Sequence, residues 1–418
     1  MRKIIHIMLI GVLSMLAFSG NGFLNRVSAQ EESVEISFMI PDWGVPTDEM
    51  LDRFEEESGI KVNVITTAWD DIRDKVSTAA VGQTVAADVF EVDWSWTGEF
   101  VAADWLAPIQ VDEETIKDIP NLETFKIEDQ YYAVPYANDF RISYVNTEMF
   151  DNAEIKELPT NWDQLIEDAK IIKEKGIVDY PISIPLLAEE NSTTTFIWLA
   201  FTRNGIVFND DNTLNHEALV DTLTLIDTLV KEELVNPANT NISGMDAYSQ
   251  IITGDTAAMT GPSSFVTRIN DEENSSVVGK VQPNRPLSKD QDYAQVTVPF
   301  NEAIGISKYT EYPEEALQFV KWYTSPEIQE QLNKEISVTP TRLSVLEKLF
   351  SEGTIENGET FYDIAEIAES PFPKGIPEYY AEMSAAIFNG VNQLASGQLS
   401  VEEATKEIES TVNDLALE

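Results

Sequence analysis

The stretch VEISFMIPDWGVPTDEMLDRFEEESGIKVNVI, residues 34–65, changes its hydrophobic period twice, and that change sets the fold class. Val34, Ile36, Phe38 and Ile40 alternate with period two, as a strand does, and Pro41 stops the run. Met50, Leu51 and Phe54 then follow helical spacing, and Gly59 closes the helix. Ile60, Val62 and Val64 alternate once more. A helical stretch over 70–81 leads to a third strand at Val89-Phe90-Glu91-Val92. Strand, helix and strand at this spacing predict parallel βαβ units, and so an α/β fold.

Outward from this start the elements continue to alternate. Helices are expected over 161–173, 216–230 and 313–323, the last with Ala316, Leu317, Phe319, Val320 and Tyr323 on one face. Another runs over 325–332, with Ser325 as its cap and Pro326 at the first helical position. The C-terminal third reads as mostly helical. With 418 residues, the chain exceeds what one hydrophobic core usually serves, so two lobes are expected. No Gly/Ser linker or low-complexity tract divides them, which leaves several crossings between lobes as plausible as one.

Upstream, Arg2 and Lys3 precede an apolar run from Ile4 to Phe18 and the polar group Ser19 to Gly22. This is the pattern of a secretory signal peptide, shorter than a membrane span, with a small-residue cleavage site at Val27-Ser28-Ala29. Residues 1–29 are expected to be removed and the mature chain to work in the periplasm or outside the cell. The sequence contains no cysteine. Disulfides, zinc–thiolate sites, thiol nucleophiles and a cysteine-linked lipid anchor are therefore not expected.

The charge balance, 27 basic against 73 acidic residues, gives a net charge of −46. Nucleic acid and anionic lipid surfaces would repel such a chain. Long acidic stretches often mean disorder, but 43% hydrophobic and 10% aromatic residues supply a packed core. The acidity therefore reads as a solvated surface suited to high salt. Equal stability in low and molar salt would refute that reading.

Open α/β sheets bind ligands at the carboxyl ends of their strands. Three segments there join aromatic rings to carboxylates or amides: Pro41-Asp42-Trp43-Gly44, Asp93-Trp94-Ser95-Trp96 and Pro135-Tyr136-Ala137-Asn138-Asp139. A sugar has hydroxyl edges and apolar faces, so its site needs flat rings beside short planar hydrogen-bonding groups. Trp43, Trp94 and Trp96 with Asp93, Asn138 and Asp139 offer that mixture. A plainer reading of any single tryptophan is that it plugs the core.

Catalysis has less to draw on. The two histidines are His6 and His216, so Ser/His/Asp chemistry and histidine metal sites are not expected. No catalytic residue, cofactor or metal is assigned. Asn209-Asp210-Asp211-Asn212 lacks the spacing of a calcium loop, and no phosphate-cradling glycine loop occurs. A carboxylate pair for glycoside hydrolysis stays open as the enzyme alternative.

Several motifs, in order along the chain, resemble one family. These are 54–62 (FEEESGIKV), Ala87-Asp88-Val89-Phe90, Tyr132 to Tyr136 followed by Tyr144-Val145-Asn146-Thr147-Glu148-Met149-Phe150, and Pro159-Thr160-Asn161-Trp162. Further on come Gly254-Asp255-Thr256 with Gly261-Pro262, Asn301-Glu302-Ala303-Ile304-Gly305-Ile306-Ser307 and Ser337-Val338-Thr339-Pro340-Thr341-Arg342. Together they are similar to the family 1 extracellular solute-binding proteins of ABC importers, in the carbohydrate-binding branch that includes maltose-binding protein. The resemblance implies a two-lobed periplasmic-binding-protein fold (type II) with a hinge crossed three times. It implies an N-terminal lobe of 30–138 with 300–340 and a C-terminal lobe of 139–299 with 341–418. It also implies a cleft ligand, a sugar, and membrane permease subunits as partner, with a monomeric receptor and no turnover. Placed on matching positions, it puts Trp43 and the 93–96 loop on the first rim, and Asn138, Asp139 and Asn301 at the crossings. Trp198, Phe265 and either Tyr379 or Tyr380 fall where relatives offer aromatic platforms, and Arg141 is expected to order the hinge. A receptor for a polyamine or other small cation remains the second binding alternative.

Overall fold

The computed structural model describes residues 34–354 and 357–417. The signal-peptide expectation, on residues 1–29, lies outside the described residues.

The strands, in chain order, are β1 (Val34–Ile40), β2 (Ile60–Thr66), β3 (Val89–Asp93), β4 (Leu106–Ala107), β5 (Lys126–Ile127), β6 (Gln130–Tyr131), β7 (Ala133–Ala137), β8 (Arg141–Asn146), β9 (Ile182–Ser183), β10 (Ala258–Pro262), β11 (Val281–Asn284) and β12 (Glu302–Ser307). β1 pairs in parallel with both β2 and β3, joined through the helices Asp48–Ser58 and Trp69–Val81. That is the βαβ arrangement the opening stretch predicts. The first helix ends because Gly59 takes the left-handed conformation (φ 74°) and returns its N–H to the Glu55 carbonyl at 2.9 Å. A side chain there would be strained, so glycine suits this stop.

The first sheet runs β2-β1-β3-β12-β4, with β7 also on β12. β12 is antiparallel to β3, β4 and β7 although it comes some two hundred residues later in the chain. The sheet is covered on both faces, which period-two alternation alone does not predict. Ile36, Phe38 and Ile40 of β1 join one core with Phe54, Phe319 and Tyr323, whereas Met39 joins another with Phe90, Val92, Trp94 and Phe100. All five residues of β3 are buried for the same reason.

The second sheet, β11-β8-β10-β9, is mixed. β8 is antiparallel to β10 and β11, and β10 is parallel to β9. Helices Glu190–Asn204, His216–Lys231, Tyr380–Ala395 and Val401–Leu417 lie beside it and share the larger core. The expected cap is in place, Ser325 accepting from Ile328 N–H. Asn161, expected as the first residue of its helix, instead caps it by accepting from Gln164 N–H.

The chain passes between the sheets three times. It leaves β7 through Asn138 and Phe140 into β8, returns through Pro299 to β12, and leaves again after Thr339 for the C-terminal helices. Phe140 bridges Pro299, and Asn138 N–H donates to the Thr339 carbonyl at 2.9 Å, so the three passages lie side by side. This is the two-lobed α/β architecture with a triple crossing.

Candidate functional site

Because β1 and β3 are parallel, their carboxyl ends face the same way, and both continue into tight 3-10 turns, Asp42–Gly44 and Trp94–Trp96. Trp43 stays 45% exposed at the first turn. At the second, Asp93 caps the turn by accepting the Ser95 N–H at 2.8 Å and the Ser95 hydroxyl. Burial pushes the Asp93 carboxyl up to about 6, against those two hydrogen bonds and the charge of Arg141.

Around Asp93 gather polar groups from both sheets. Asp139 pairs with Arg141 at 2.8 Å, and Ser264 donates to it at 3.4 Å. Burial raises the Asp139 carboxyl and the guanidinium opposes it. The Arg141 guanidinium lies over the Phe300 ring at 4.9 Å and reaches Thr194 at 3.4 Å, while its Nε has no partner. Glu190, at the start of its helix, accepts from Tyr380 at 2.5 Å and Ser384 at 2.6 Å. Burial lifts Glu190 to about 7, with Ser384 and Tyr380 pulling the other way. Asn301 is fully buried, and neither polar atom of its amide has a partner.

Behind Asp93 lies a second acid group inside the first sheet. Glu91 on β3 and Glu302 on β12 are two rungs apart on paired strands, Glu302 opposite Asp93 and Glu91 opposite Ile304. Glu91 is 0% exposed, and neither of its oxygens, nor Glu302 Oε2, nor the neighbouring Tyr136 hydroxyl makes a hydrogen bond of ordinary geometry. Burial raises Glu91 to about 7 and Glu302 well above its usual range, the second further raised by the first. Burial and the mutual repulsion of the two carboxylates both favour the neutral, protonated form of these acids.

The rings named from the sequence have different fates. Trp94 sits beside Asp93 but is enclosed by Phe300 (4.8 Å between ring centres), Tyr380 (5.0 Å) and Phe372 (6.4 Å). Trp96 lies between Trp69 (5.0 Å) and Phe100 (5.7 Å). Trp198 is 1% exposed, and its N–H donates to the Arg141 carbonyl at 3.0 Å and the Thr297 hydroxyl at 2.9 Å. It braces Arg141 from below. Phe265 is buried edge-on against Tyr248. Tyr379 is half-buried, while its neighbour Tyr380 reaches the acid cluster. Asn138 spends its amide on the crossings, donating to the Pro340 carbonyl at 2.5 Å and accepting from Asn121 at 3.0 Å.

The sequence reading did not single out Glu190, Phe300, Ser384 or the Glu91 and Glu302 pair. Glu190 stands in Glu189-Glu190-Asn191-Ser192, separated by three threonines from the apolar run 196–201, and that polar lead-in was the one available signal. Among the described residues no group of three or more His, Cys, Asp or Glu is arranged to hold a metal. No described helix is long and apolar enough to cross a membrane.

This architecture has counterparts. The family model for bacterial extracellular solute-binding proteins matches residues 40–330. A candidate binding protein of Brucella abortus (strain 2308) is 24% identical over 258 residues, 59% of this chain and 62% of its own length. A counterpart in Brucella suis biovar 1 (strain 1330) matches to the same extent, so the chain spans about three fifths of these curated relatives. Among solved structures, maltose-bound MalE3 of T. maritima superposes with a TM-score of 0.77 at 20% identity, covering 91% of this chain and 100% of that one. The sugar-binding protein MalE of Xanthomonas citri gives 0.78 at 18% identity, covering 92% and 98%. A ribitol-bound ABC transporter solute-binding protein of Agrobacterium radiobacter K84 gives 0.75 at 17%, covering 91% and 98%. At these identities the likeness is one of fold.

Proposed function

Because the chain belongs to the bacterial extracellular solute-binding proteins, we propose that it is the substrate-binding component of an ABC importer, capturing a sugar between its lobes and handing it to membrane permease subunits. The observation that carries this reading is the polar cluster of Asp93, Asp139, Arg141 and Glu190, drawn from both sheets beside the three crossings. A ligand held there touches groups from both lobes at once, so it favours the arrangement that brings them together. Lobes of 30–138 with 300–340 and 139–299 with 341–418 would move about the crossings. We read the chain as a monomer, exported by residues 1–29, free of a lipid anchor, and without turnover.

The chemistry of the cluster favours hydroxyl ligands. Each carboxylate already accepts from a neutral hydroxyl, Asp93 from Ser95, Asp139 from Ser264, and Glu190 from Tyr380 and Ser384, and sugar hydroxyls can take the same role. An anionic solute would meet three carboxylates and one guanidinium that is already paired. The excess of carboxylates also keeps a second reading, a polyamine or other small cation. Calorimetric titration of the mature protein in high salt separates the two. Sugar binding should hold as salt rises, whereas polyamine affinity should fall steeply. Heat from polyamines and none from any sugar or polyol would refute the carbohydrate reading, and release of reducing sugar from a glycan panel would refute the absence of turnover.

A further inference from the structure

In a hinge motion a few backbone positions absorb the change, and their place follows from which lobe holds the chain on either side. At the first crossing Asn138 is tied to Asn121, Thr339 and Pro340, whereas Asp139 is tied to Arg141 and Ser264. The chain can turn between the two. At the second, Thr297 is tied to Trp198, and Glu302 is already in register with Asp93, so the turn falls between them.

The third crossing stays with the first lobe for longer. Gln329, fully buried on the helix Pro326–Ile336, spends its whole amide there. Its oxygen accepts from Thr341 N–H at 2.9 Å and Arg342 N–H at 3.1 Å, and its nitrogen donates to the Thr341 hydroxyl at 2.7 Å and the Pro135 carbonyl at 3.4 Å. The Thr341 hydroxyl donates to the same Pro135 carbonyl at 2.9 Å, and Arg342 Nε donates to the Thr324 carbonyl at 2.7 Å. The helices that supply Thr324 and Gln329 pack on the core of Phe38, Tyr136 and Phe319 through Val320, Ile328 and Leu332.

Asp118 extends the attachment into the next helix, Leu343–Ser351. It is the last residue of Glu113–Asp118, where the helix dipole disfavours an acid, and it lies against the start of Leu343–Ser351, where the dipole favours one. One carboxylate oxygen accepts from Arg342 at 2.9 Å and the Ser344 hydroxyl at 2.8 Å, and the other accepts from Ser344 N–H at 2.9 Å. Arg342, at the cap position, makes no side-chain capping bond, so Asp118 satisfies an N–H of the first turn from another part of the chain. Two residues on, Leu346 enters the core of Phe140, Tyr144, Tyr248 and Phe265. One helix is thus held at its first turn by the first lobe and along its body by the second.

We propose that Asp118 is a positioning residue for closure: it fixes the start of Leu343–Ser351 to the first lobe, so the third pivot lies between Ser344 and Leu346 rather than at residue 340, and the helix swings with the second lobe as a lever. This placement rests on the reading above that the lobes move about the crossings. At the far end of the lever, about 12 Å along the helix from Ser344, Glu352 lies 3.7 Å from Lys334 of the first lobe. That exposed pair holds the lobes weakly and should part as they open.

The chain has no cysteine, so introduced pairs can be bridged without background. In the mature protein, a disulfide between Asp118→Cys and Ser344→Cys joins two points of one lobe, whereas a short bismaleimide bridge between Lys334→Cys and Glu352→Cys joins the two lobes. Small-angle scattering is recorded without ligand, so failure of the carbohydrate reading does not affect the result. The 334–352 bridge should lower the radius of gyration relative to wild type, and the 118–344 bridge should leave it unchanged. A fall with both would place Ser344 in the second lobe and overturn the pivot; a fall with neither would overturn the lever. In Asp118→Ala, folded by circular dichroism, hydrogen exchange at the Ser344 amide should quicken roughly tenfold or more, with Asp118→Asn, which keeps one acceptor, in between. Unchanged exchange in Asp118→Ala would overturn the role of Asp118.

Discussion

Replacing Glu91 by glutamine should stabilise the protein, and by an amount that depends on pH. Glu91 is fully buried on β3 and faces Glu302, Tyr136 and, two residues on, Asp93; Tyr323 and Asp139 add to the same field. Burial moves its carboxyl from 4.5 to about 7. Below pH 4.5 the folded and unfolded chains both hold this proton, and the group adds no penalty. As pH rises from 4.5 to 7 the unfolded chain releases the proton while the folded chain keeps it, so stability falls over that window and levels off above it. The full displacement corresponds to about 3 kcal/mol, an upper bound because Glu302 titrates in the same field. Glutamine has nearly the same shape and no proton to release. Relative to wild type, Glu91→Gln should therefore be close to neutral at pH 4.5 and gain roughly 1–3 kcal/mol by pH 8. Urea unfolding at pH 4.5, 6 and 8 in constant molar salt measures the difference, and repulsion among the surface acids, common to both proteins, cancels. A difference that stays flat across this range would refute the raised carboxyl of the buried Glu91.

Two further substitutions probe the surroundings of the cluster. Gly98→Ala places a methyl against the Ile376 and Pro377 backbone; relieving such overpacking costs roughly 1–3 kcal/mol, so ligand affinity should fall about five- to 150-fold and small-angle scattering should show a larger radius of gyration with ligand bound. Unchanged affinity would mean that this contact is no part of the bound arrangement. Trp198→Phe removes the donor shared by the Arg141 carbonyl and the Thr297 hydroxyl, which should cost about 1–3 kcal/mol in urea unfolding, and a loss under about 0.5 kcal/mol would show that the indole does not brace Arg141.

The parts of the fold that could be read in the sequence are those decided within a few residues. Gly59 ends a helix because its own backbone turns left-handed, and Asn161 and Ser325 begin helices because their side chains reach an N–H three residues on. The alternation in β1 revealed a strand but not that Met39 would be as buried as Phe38. That depends on a second core whose members come from as far along the chain as Val412. The antiparallel place of β12 between β3 and β4 was equally hidden, since neither period nor turn chemistry specifies a partner so distant in sequence.

The same limit explains which candidate site residues kept their expected surroundings. The setting of Asp93 was legible because Ser95, the donor it caps, is a neighbour, and the acid and its turn are one local motif. Whether a ring is a platform or part of the core depends on what stands opposite it. For Trp94 those partners are Phe300, Phe372 and Tyr380, and for Trp198 they are Arg141 and Thr297. Glu190 was hidden for a related reason. Among 73 acids no composition or spacing marks one, and its distinction comes only when Tyr380 and Ser384 fold onto it from nearly two hundred residues away. An acidic surface tolerates most carboxylates because water solvates them. The few that are buried must be held by hydroxyls or by Arg141, or take up a proton, because a buried charge without a partner costs more than the fold can offset. Their hydrogen-bond partners, rather than their number, therefore set these acids apart from the solvated ones.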